Sequence, residues 1–315
     1  MPVPRRPPFA GRDGEIAELS ELRARAEAGE GTLVLLSGEA GVGKTRLAEE
    51  LATQHAGSAL ALWGRCIDSP AAPPYLPWLQ VTRELRRSLG ADAFAALATP
   101  QQHEEIIRGL PELQPGSQPV EPPAGRYGFL DAMSALLRGA AARRPLLIVL
   151  DDLHWADEPT LLLLGWLAAD LRGAAILAVG IYREDPLPAD HALHRLVGSA
   201  ARDAMVPLHV GGLQVPALAA LARAAGVDDA DALAEQLERR TGGNPFFTIE
   251  TLRLLASDPL AGAQVPEGAA ALLNQRLAAL SPECRGLLDA AAVAGDFSLD
   301  ILSGAPASRA RGTPL

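Results

Sequence analysis

Gly38-Glu39-Ala40-Gly41-Val42-Gly43-Lys44-Thr45 is the stretch on which the reading of this chain turns. It fits the pattern Gly-x-x-x-x-Gly-Lys-Thr, the Walker A motif. Before it, Thr32, Leu33, Val34, Leu35 and Leu36 form a short apolar run that favours a β-strand. After it, Leu47 and Leu51 lie four apart and begin the apolar face of a helix. Strand, glycine loop and helix is the context that a phosphate-binding loop requires. Glycines let several backbone N–H groups converge on one anion, and the helix that follows points its positive end at the same place. Residues 38–45 are therefore the candidate nucleotide contacts. Lys44 would reach β- and γ-phosphate oxygens, and the Thr45 hydroxyl would hold Mg²⁺. Lys44 is also the only lysine among 28 basic residues; the rest are arginine. A compact ammonium suits a tight loop where a flat guanidinium does not.

A second stretch answers the first. Leu146-Leu147-Ile148-Val149-Leu150-Asp151-Asp152 is an apolar run closed by two carboxylates, the Walker B pattern. It predicts a strand buried on both faces. Asp151 would hold the Mg²⁺, and Asp152 would orient or activate an attacking water. Taken alone, the stretch also reads as an ordinary strand running into an acidic turn. Arg183 follows a third such run, residues 175–181, and is a candidate contact to the γ-phosphate. The competing reading is a surface arginine in a turn. The catalytic candidates are thus Asp152, Lys44 and Arg183.

Other classes are excluded or disfavoured. The 315 residues carry a net charge of −10, which argues against a dedicated nucleic-acid surface. With 48% apolar and 21% charged residues, the chain has the balance of a globular protein with a sizeable core. Cys66 and Cys284 match no metal spacing and fit a reducing, cytoplasmic setting. The proline-rich start lacks the apolar stretch of a signal peptide, and no apolar run is long enough to cross a bilayer. A guanine-reading Asn-Lys-x-Asp element needs a lysine, and the sole lysine is already used, so adenine is favoured. His103-Glu104-Glu105-Ile106-Ile107 lacks the second histidine of a zinc protease. His154, beside Trp155, reads as a packing residue.

Periodicity divides the chain. Helical spacing begins at Ile16, Leu19, Leu22 and Ala26. Residues 60–63 suggest a further strand, 77–98 helices, 111–123 a proline-rich loop and 126–142 a helix. Asp157 and Pro159 open a helix whose apolar side holds Leu162, Leu163, Trp166 and Leu167. Residues 205–210 suggest a last strand. Beyond Leu213 only helical patterns remain: Leu218, Leu221 and Ala225, then Leu233 and Leu237, then a helix capped by Asn244 with Pro245 first. Ser281-Pro282 opens another, with Leu287, Leu288 and Ala291 on the expected buried side. The fold class is α/β: a parallel P-loop sheet flanked by helices over residues 9–210, followed by a smaller all-helical region.

Five stretches taken together resemble the ATPase domain of STAND-class signalling NTPases, a branch of the AAA+-like P-loop ATPases. The nearest likeness is the N-terminal ATPase region of large ATP-binding LuxR-type transcription regulators. The stretches are Phe9-Ala10-Gly11-Arg12-Asp13, the phosphate loop, Leu150-Asp151-Asp152-Leu153-His154-Trp155-Ala156-Asp157, Gly180-Ile181-Tyr182-Arg183, and Thr241-Gly242-Gly243-Asn244-Pro245-Phe246-Phe247. The resemblance implies that Gly11, Arg12 and Pro245 contact the adenine side of the nucleotide. Pro245 also reads as a plain helix start.

The resemblance further implies a helical lid over 211–265 and the start of a winged-helix region over 266–302. Residues 1–8 read as a flexible lead and 303–315 as a disordered tail. No sensor array or DNA-reading helix is visible, so direct DNA binding is not expected. The expected function is an ATP-binding, slowly hydrolysing switch with ATP/ADP and Mg²⁺ as ligands and a protein partner or self-association as output. Two alternatives stand beside it: an active remodelling ATPase of the origin-recognition type, and an inactive nucleotide-binding fragment.

Overall fold

The computed structural model describes residues 7–69, 71–113, 126–184, 187–188, 190–199, 205–257, 277 and 280–294. Residues 1–6 of the expected 1–8 lead, most of the 111–123 loop, residues 258–265 of the lid, residues 266–276, 278–279 and 295–302 of the winged-helix start and the tail over 303–315 lie outside them.

Five strands form one sheet: β1 (Thr32–Ser37), β2 (Leu60–Arg65), β3 (Leu146–Asp151), β4 (Ile176–Ile181) and β5 (Met205–His209). Their order is β2-β3-β4-β1-β5, and every neighbouring pair is parallel. Parallel pairing places all the strand ends at one edge, the usual ligand edge of an open α/β sheet. Ser37, Arg65, Asp151, Ile181 and His209 close their strands there.

The apolar runs are explained by burial on both faces. Leu33, Leu35, Ile148, Leu150, Ile176 and Ala178 belong to one core cluster, while Val34, Leu36, Leu147, Val149, Leu177 and Val179 belong to the other. Successive side chains alternate between faces, so a continuous apolar strand feeds two cores at once. Helices α1 (Asp13–Glu27) and α2 (Lys44–Gln54) cover the second face with Leu19, Leu22, Leu47 and Leu51.

The first face is covered by α3 (Leu76–Leu89), α4 (Ala91–Ala95), α5 (Pro100–Gly109), α6 (Arg126–Ala141) and α7 (Glu158–Ala169). Trp78 lies at its centre, and its indole N–H donates to the Thr160 carbonyl at 3.1 Å. The short α8 (Ala192–Ser199) precedes β5. Then α9 (Val215–Ala224), α10 (Ala230–Thr241) and α11 (Pro245–Ser257) pack around Leu218, Leu237 and Leu252 as a separate apolar cluster.

Three details differ from the sequence reading. Helix α5 was not anticipated, although Thr99 and Gln102 form a complete capping box: the Thr99 Oγ1 accepts from the Gln102 N–H at 3.3 Å, and the Gln102 Oε1 accepts from the Thr99 N–H at 2.8 Å. Leu162, expected in the apolar face of α7, is exposed; Thr160, Leu161, Leu163, Leu164, Leu167 and Ala168 make up the buried face. Four consecutive leucines, 161–164, leave no periodic contrast to read. The helix Pro282–Ala294 is present, but Leu287 and Leu288 are exposed among the described residues.

Cys66, just past β2, is buried, and its thiol is pushed up to about 12 by burial first and then by the nearby charges of Asp157, Asp152 and Asp151. Cys284 is exposed. Only the thiolate reacts with alkylating reagents. At about pH 8, iodoacetamide should therefore modify Cys284 alone in the native chain, and both cysteines once denaturant is added. Comparable native labelling at Cys66 would contradict its placement. No helix among the described residues is long and apolar enough to cross a membrane.

Candidate nucleotide-binding site

The phosphate loop runs from the end of β1 into α2. Gly38, Gly41 and Gly43 have φ of 144°, 79° and 100°, angles that L side chains rarely adopt. Space is short as well as torsion. A Cβ at Gly38 would run into the Val210 carbonyl, and one at Gly41 would lie 2.8 Å from the Phe246 Cβ. Lys44 is 7% exposed, and its Nζ donates to the carbonyls of Gly38 at 2.7 Å and Glu39 at 2.8 Å. Burial, followed by the charge of Arg183, holds this ammonium below its usual range.

The two acidic-strand residues are placed differently. Asp151 is 5% exposed, and its carboxylate accepts from the Thr45 hydroxyl, at 3.0 Å on Oδ2 and 3.3 Å on Oδ1. Burial and then the neighbouring Asp152 push its carboxyl up, against the Thr45 hydrogen bond. Asp152 begins a turn at φ 59°, a conformation that aspartate tolerates better than most residues. Its Oδ2 accepts from both Arg65 Nε at 3.1 Å and Arg65 Nη2 at 2.9 Å. Its Oδ1 has the His154 Nε2 at 3.8 Å. Arg183 is half-buried, with its guanidinium carbon 5.2 Å from the centroid of the Trp155 ring.

The remaining predicted contacts lie on the other side of the loop. Arg12 is buried; its Nη2 donates to the carbonyls of Val42 at 3.0 Å and Gly211 at 2.6 Å, and its Nη1 pairs with Glu15 at 2.7 Å. It ties the start of the chain to the phosphate loop and to the exit of β5. Arg12 and Pro245 line one cavity of about 230 Å³, with Gly41, Val42 and Gly43 forming part of its wall. Phe9, Leu213, Leu221, Phe246 and Ile249 make that wall largely apolar. Gly11 does not line it. At φ 69° it packs against Ala217 of α9, where a Cβ would collide.

The family description of an AAA ATPase domain matches residues 8–179 of this sequence. The chain belongs to the AAA ATPase domain family. No curated protein matches the AAA ATPase chain. Among solved structures, a signal transduction ATPase with numerous domains (STAND) from Pyrococcus horikoshii, with a tetratricopeptide repeat sensor, is similar at a TM-score of 0.54 and 17% identity. That alignment covers 96% of this chain and 37% of the STAND protein, so this chain spans little more than a third of its length. At such identity the likeness is one of fold. Cdc6p from Pyrobaculum aerophilum follows at a TM-score of 0.47 and 18% identity, over 96% of this chain and 72% of that one. A RuvB variant from Thermotoga maritima scores 0.43 at 17% identity, over 95% and 84% of the two chains.

Several contacts in this AAA ATPase domain were not visible in the sequence. Arg65 stands opposite Asp151 in the β2–β3 register, which sets its guanidinium beside the next carboxylate. Only the pairing of the strands reveals it. The sequence predicts Asn244 as a helix cap, and its Oδ1 accepts from the Phe246 N–H at 3.1 Å. Its Nδ2 also donates to the Ala40 carbonyl at 2.9 Å, and the Phe246 N–H lies 3.3 Å from the Gly41 carbonyl. The helical region thus holds the phosphate loop directly. Glu184, beyond β4, accepts at one oxygen from the Ser37 hydroxyl at 2.6 Å and lies 2.8 Å from the His209 Nδ1. Those two contacts, Ser37 first, hold its carboxyl below the usual range.

Proposed function

We propose that this chain is an ATP-binding, slowly hydrolysing switch domain of the signalling kind, resembling the ATPase region of LuxR-type transcription regulators, with output through a protein partner or a second copy. The observation that carries the reading is the grip of the helical region on the phosphate loop. Asn244 and Phe246 hydrogen-bond the carbonyls of Ala40 and Gly41, two residues inside the loop. A nucleotide that reshapes those peptides changes what Asn244 and Phe246 can hold. A ligand shifts a conformational equilibrium only through differential affinity for its states, and these two contacts supply the difference.

The cavity supports a place for the base. At about 230 Å³ it is smaller than the ~300–1,000 Å³ clefts that take whole drug-sized ligands. It suits a flat purine against Pro245 and Phe246, with the phosphates outside it along residues 38–45. Lys44 Nζ then binds β- and γ-oxygens in exchange for the carbonyls of Gly38 and Glu39.

The Thr45 hydroxyl and the Asp151 carboxylate are hard oxygen donors 3.0 Å apart, and Asp151 is a buried acid in want of a cation. No group of three or more His, Cys, Asp or Glu that could hold a metal occurs among the described residues. That donor set suits Mg²⁺, which keeps waters and phosphate oxygens among its ligands. Thr45 and Asp151 would hold it, and when bound it offsets charge on the β- and γ-oxygens. Asp152, with Oδ2 occupied by Arg65, presents Oδ1 to orient an attacking water. Arg183 contacts the γ-phosphate.

Hydrogen exchange tests the switch. Amides of Pro245–Ser257 should exchange at different rates with ATP and with ADP, and the difference should collapse in Asn244→Ala. The ATP affinity of that variant should fall by less than about tenfold, the scale of one neutral hydrogen bond. Identical exchange in the two nucleotides for the wild-type chain would overturn the switch reading while leaving ATP binding intact.

A further inference from the structure

We propose that Trp155 is a positioning residue for Arg183, holding the guanidinium by its face so that its edge is presented to the γ-phosphate. The inference rests on the assignment of Arg183 to the γ-phosphate and deepens it. After β3 the chain reverses at Asp152, whose φ of 59° starts the single turn Leu153–Trp155. Leu153 is buried and anchors that turn. The Trp155 N–H donates to the Asp152 carbonyl at 2.9 Å, so the ring's backbone is fixed by the same turn that aims the Asp152 carboxylate. The His154 ring flanks it, with centroids 4.6 Å apart and planes 45° apart.

Trp155 remains 37% exposed, although its core neighbours Leu153 and Leu150 are buried. An indole left at the ligand edge of a sheet has a use if a cation lies over it. The Arg183 guanidinium carbon does. It comes from the end of the adjacent strand, since Leu150 pairs with Gly180 in the β3–β4 register. Among the described residues the guanidinium has no carboxylate partner, and the Trp155 ring at 5.2 Å is the contact that orients it. Its charge reaches Lys44, where it is the second cause of the lowered ammonium. The cation therefore lies within electrostatic reach of the residue assigned to the β- and γ-phosphates.

Face and edge divide the work. A cation–π contact uses the ring face and the guanidinium plane, while all five N–H donors lie around the guanidinium rim and stay available for phosphate oxygens. A long side chain held this way has less rotamer freedom left to lose when the triphosphate arrives. ADP lacks the γ-phosphate, so the gain appears for ATP alone.

The test compares ATP and ADP dissociation constants by calorimetry for the wild-type chain, Trp155→Phe, Trp155→Leu, Arg183→Ala and the Trp155→Leu/Arg183→Ala double variant. Trp155→Leu should weaken ATP about three- to tenfold and leave ADP unchanged, with Trp155→Phe in between because its ring still offers a weaker π-face. In the Arg183→Ala background, Trp155→Leu should add nothing. Unchanged ADP affinity shows that the variants keep the folded loop. A wild-type ATP-to-ADP ratio in Trp155→Leu, or additive losses in the double variant, would overturn the proposal and leave ATP binding standing. A wild-type chain that binds neither nucleotide would overturn both this inference and the function on which it rests.

Discussion

ATP should bind the Lys44→Ala variant at least on the order of 100-fold more weakly than the wild-type chain. The side chain removed is the chain's only lysine and is almost fully buried within the loop. Hydrogen bonds to a charged group contribute about 1.5–3 kcal/mol each, and the upper figure alone converts to roughly 100-fold. The ammonium removed also faces the charges of Asp151 and Asp152, which keep their hydrogen bonds from Thr45 and Arg65. Its two present acceptors, the carbonyls of Gly38 and Glu39, lie on a loop held by other contacts: Asn244 on Ala40, and Arg12 on Val42. The variant should therefore fold, keep its far-ultraviolet circular dichroism and fail in titration with ATP. Equal affinities in the two chains would remove the basis for placing a triphosphate on residues 38–45.

Asp152→Asn should behave in the opposite way, retaining ATP affinity within about threefold while turnover falls by ~10²–10⁴, the range associated with a positioned acid–base group. The amide is the same shape and can still accept from Arg65 through its oxygen, so the turn that begins at Asp152 is preserved. What changes is the group offered to water. Asp151, which touches Thr45, is left in place, and binding is left with it. Arg65→Ala should lower turnover less than Asp152→Asn does and add no further loss in the Asp152→Asn background, because Arg65 acts through that carboxylate. Single-turnover phosphate release at saturating ATP separates the two effects. Wild-type turnover in Asp152→Asn would show that the water is oriented by another residue.

The parts of this molecule legible in its sequence are those encoded by near neighbours. The phosphate loop, the strand before it and the helix after it lie within 23 positions, and their glycines carry the backbone angles that the pattern requires. The runs over β3 and β4 read as doubly buried strands because both faces of a parallel sheet need apolar side chains. Even the capping box that opens α5 was written locally, in Thr99 and Gln102, and only went unread.

What could not be read depends on strands or helices distant in sequence coming together. The pairing of Arg65 with Asp152 follows from the β2–β3 register, and Trp155 meets Arg183 through β3–β4. Arg12 was expected at the nucleotide; the structure shows its donors spread over Val42, Gly211 and Glu15 as well as its place on the cavity wall. Leu287 and Leu288 show the limit of periodicity from the other side. Their spacing marks an apolar face, but spacing does not say whether a partner covers it.

The hydrogen bond between Asn244 and Ala40 joins residues 204 positions apart. Chain growth runs from the amino terminus, so every strand of the sheet is synthesised before Asn244 exists. A nascent chain that has emerged through β5 holds all five strands but lacks the side chain that pairs with the Ala40 carbonyl. The phosphate loop is thus translated well before the residue that completes it, and a chaperone engaging the growing polypeptide would meet it in its unfinished form.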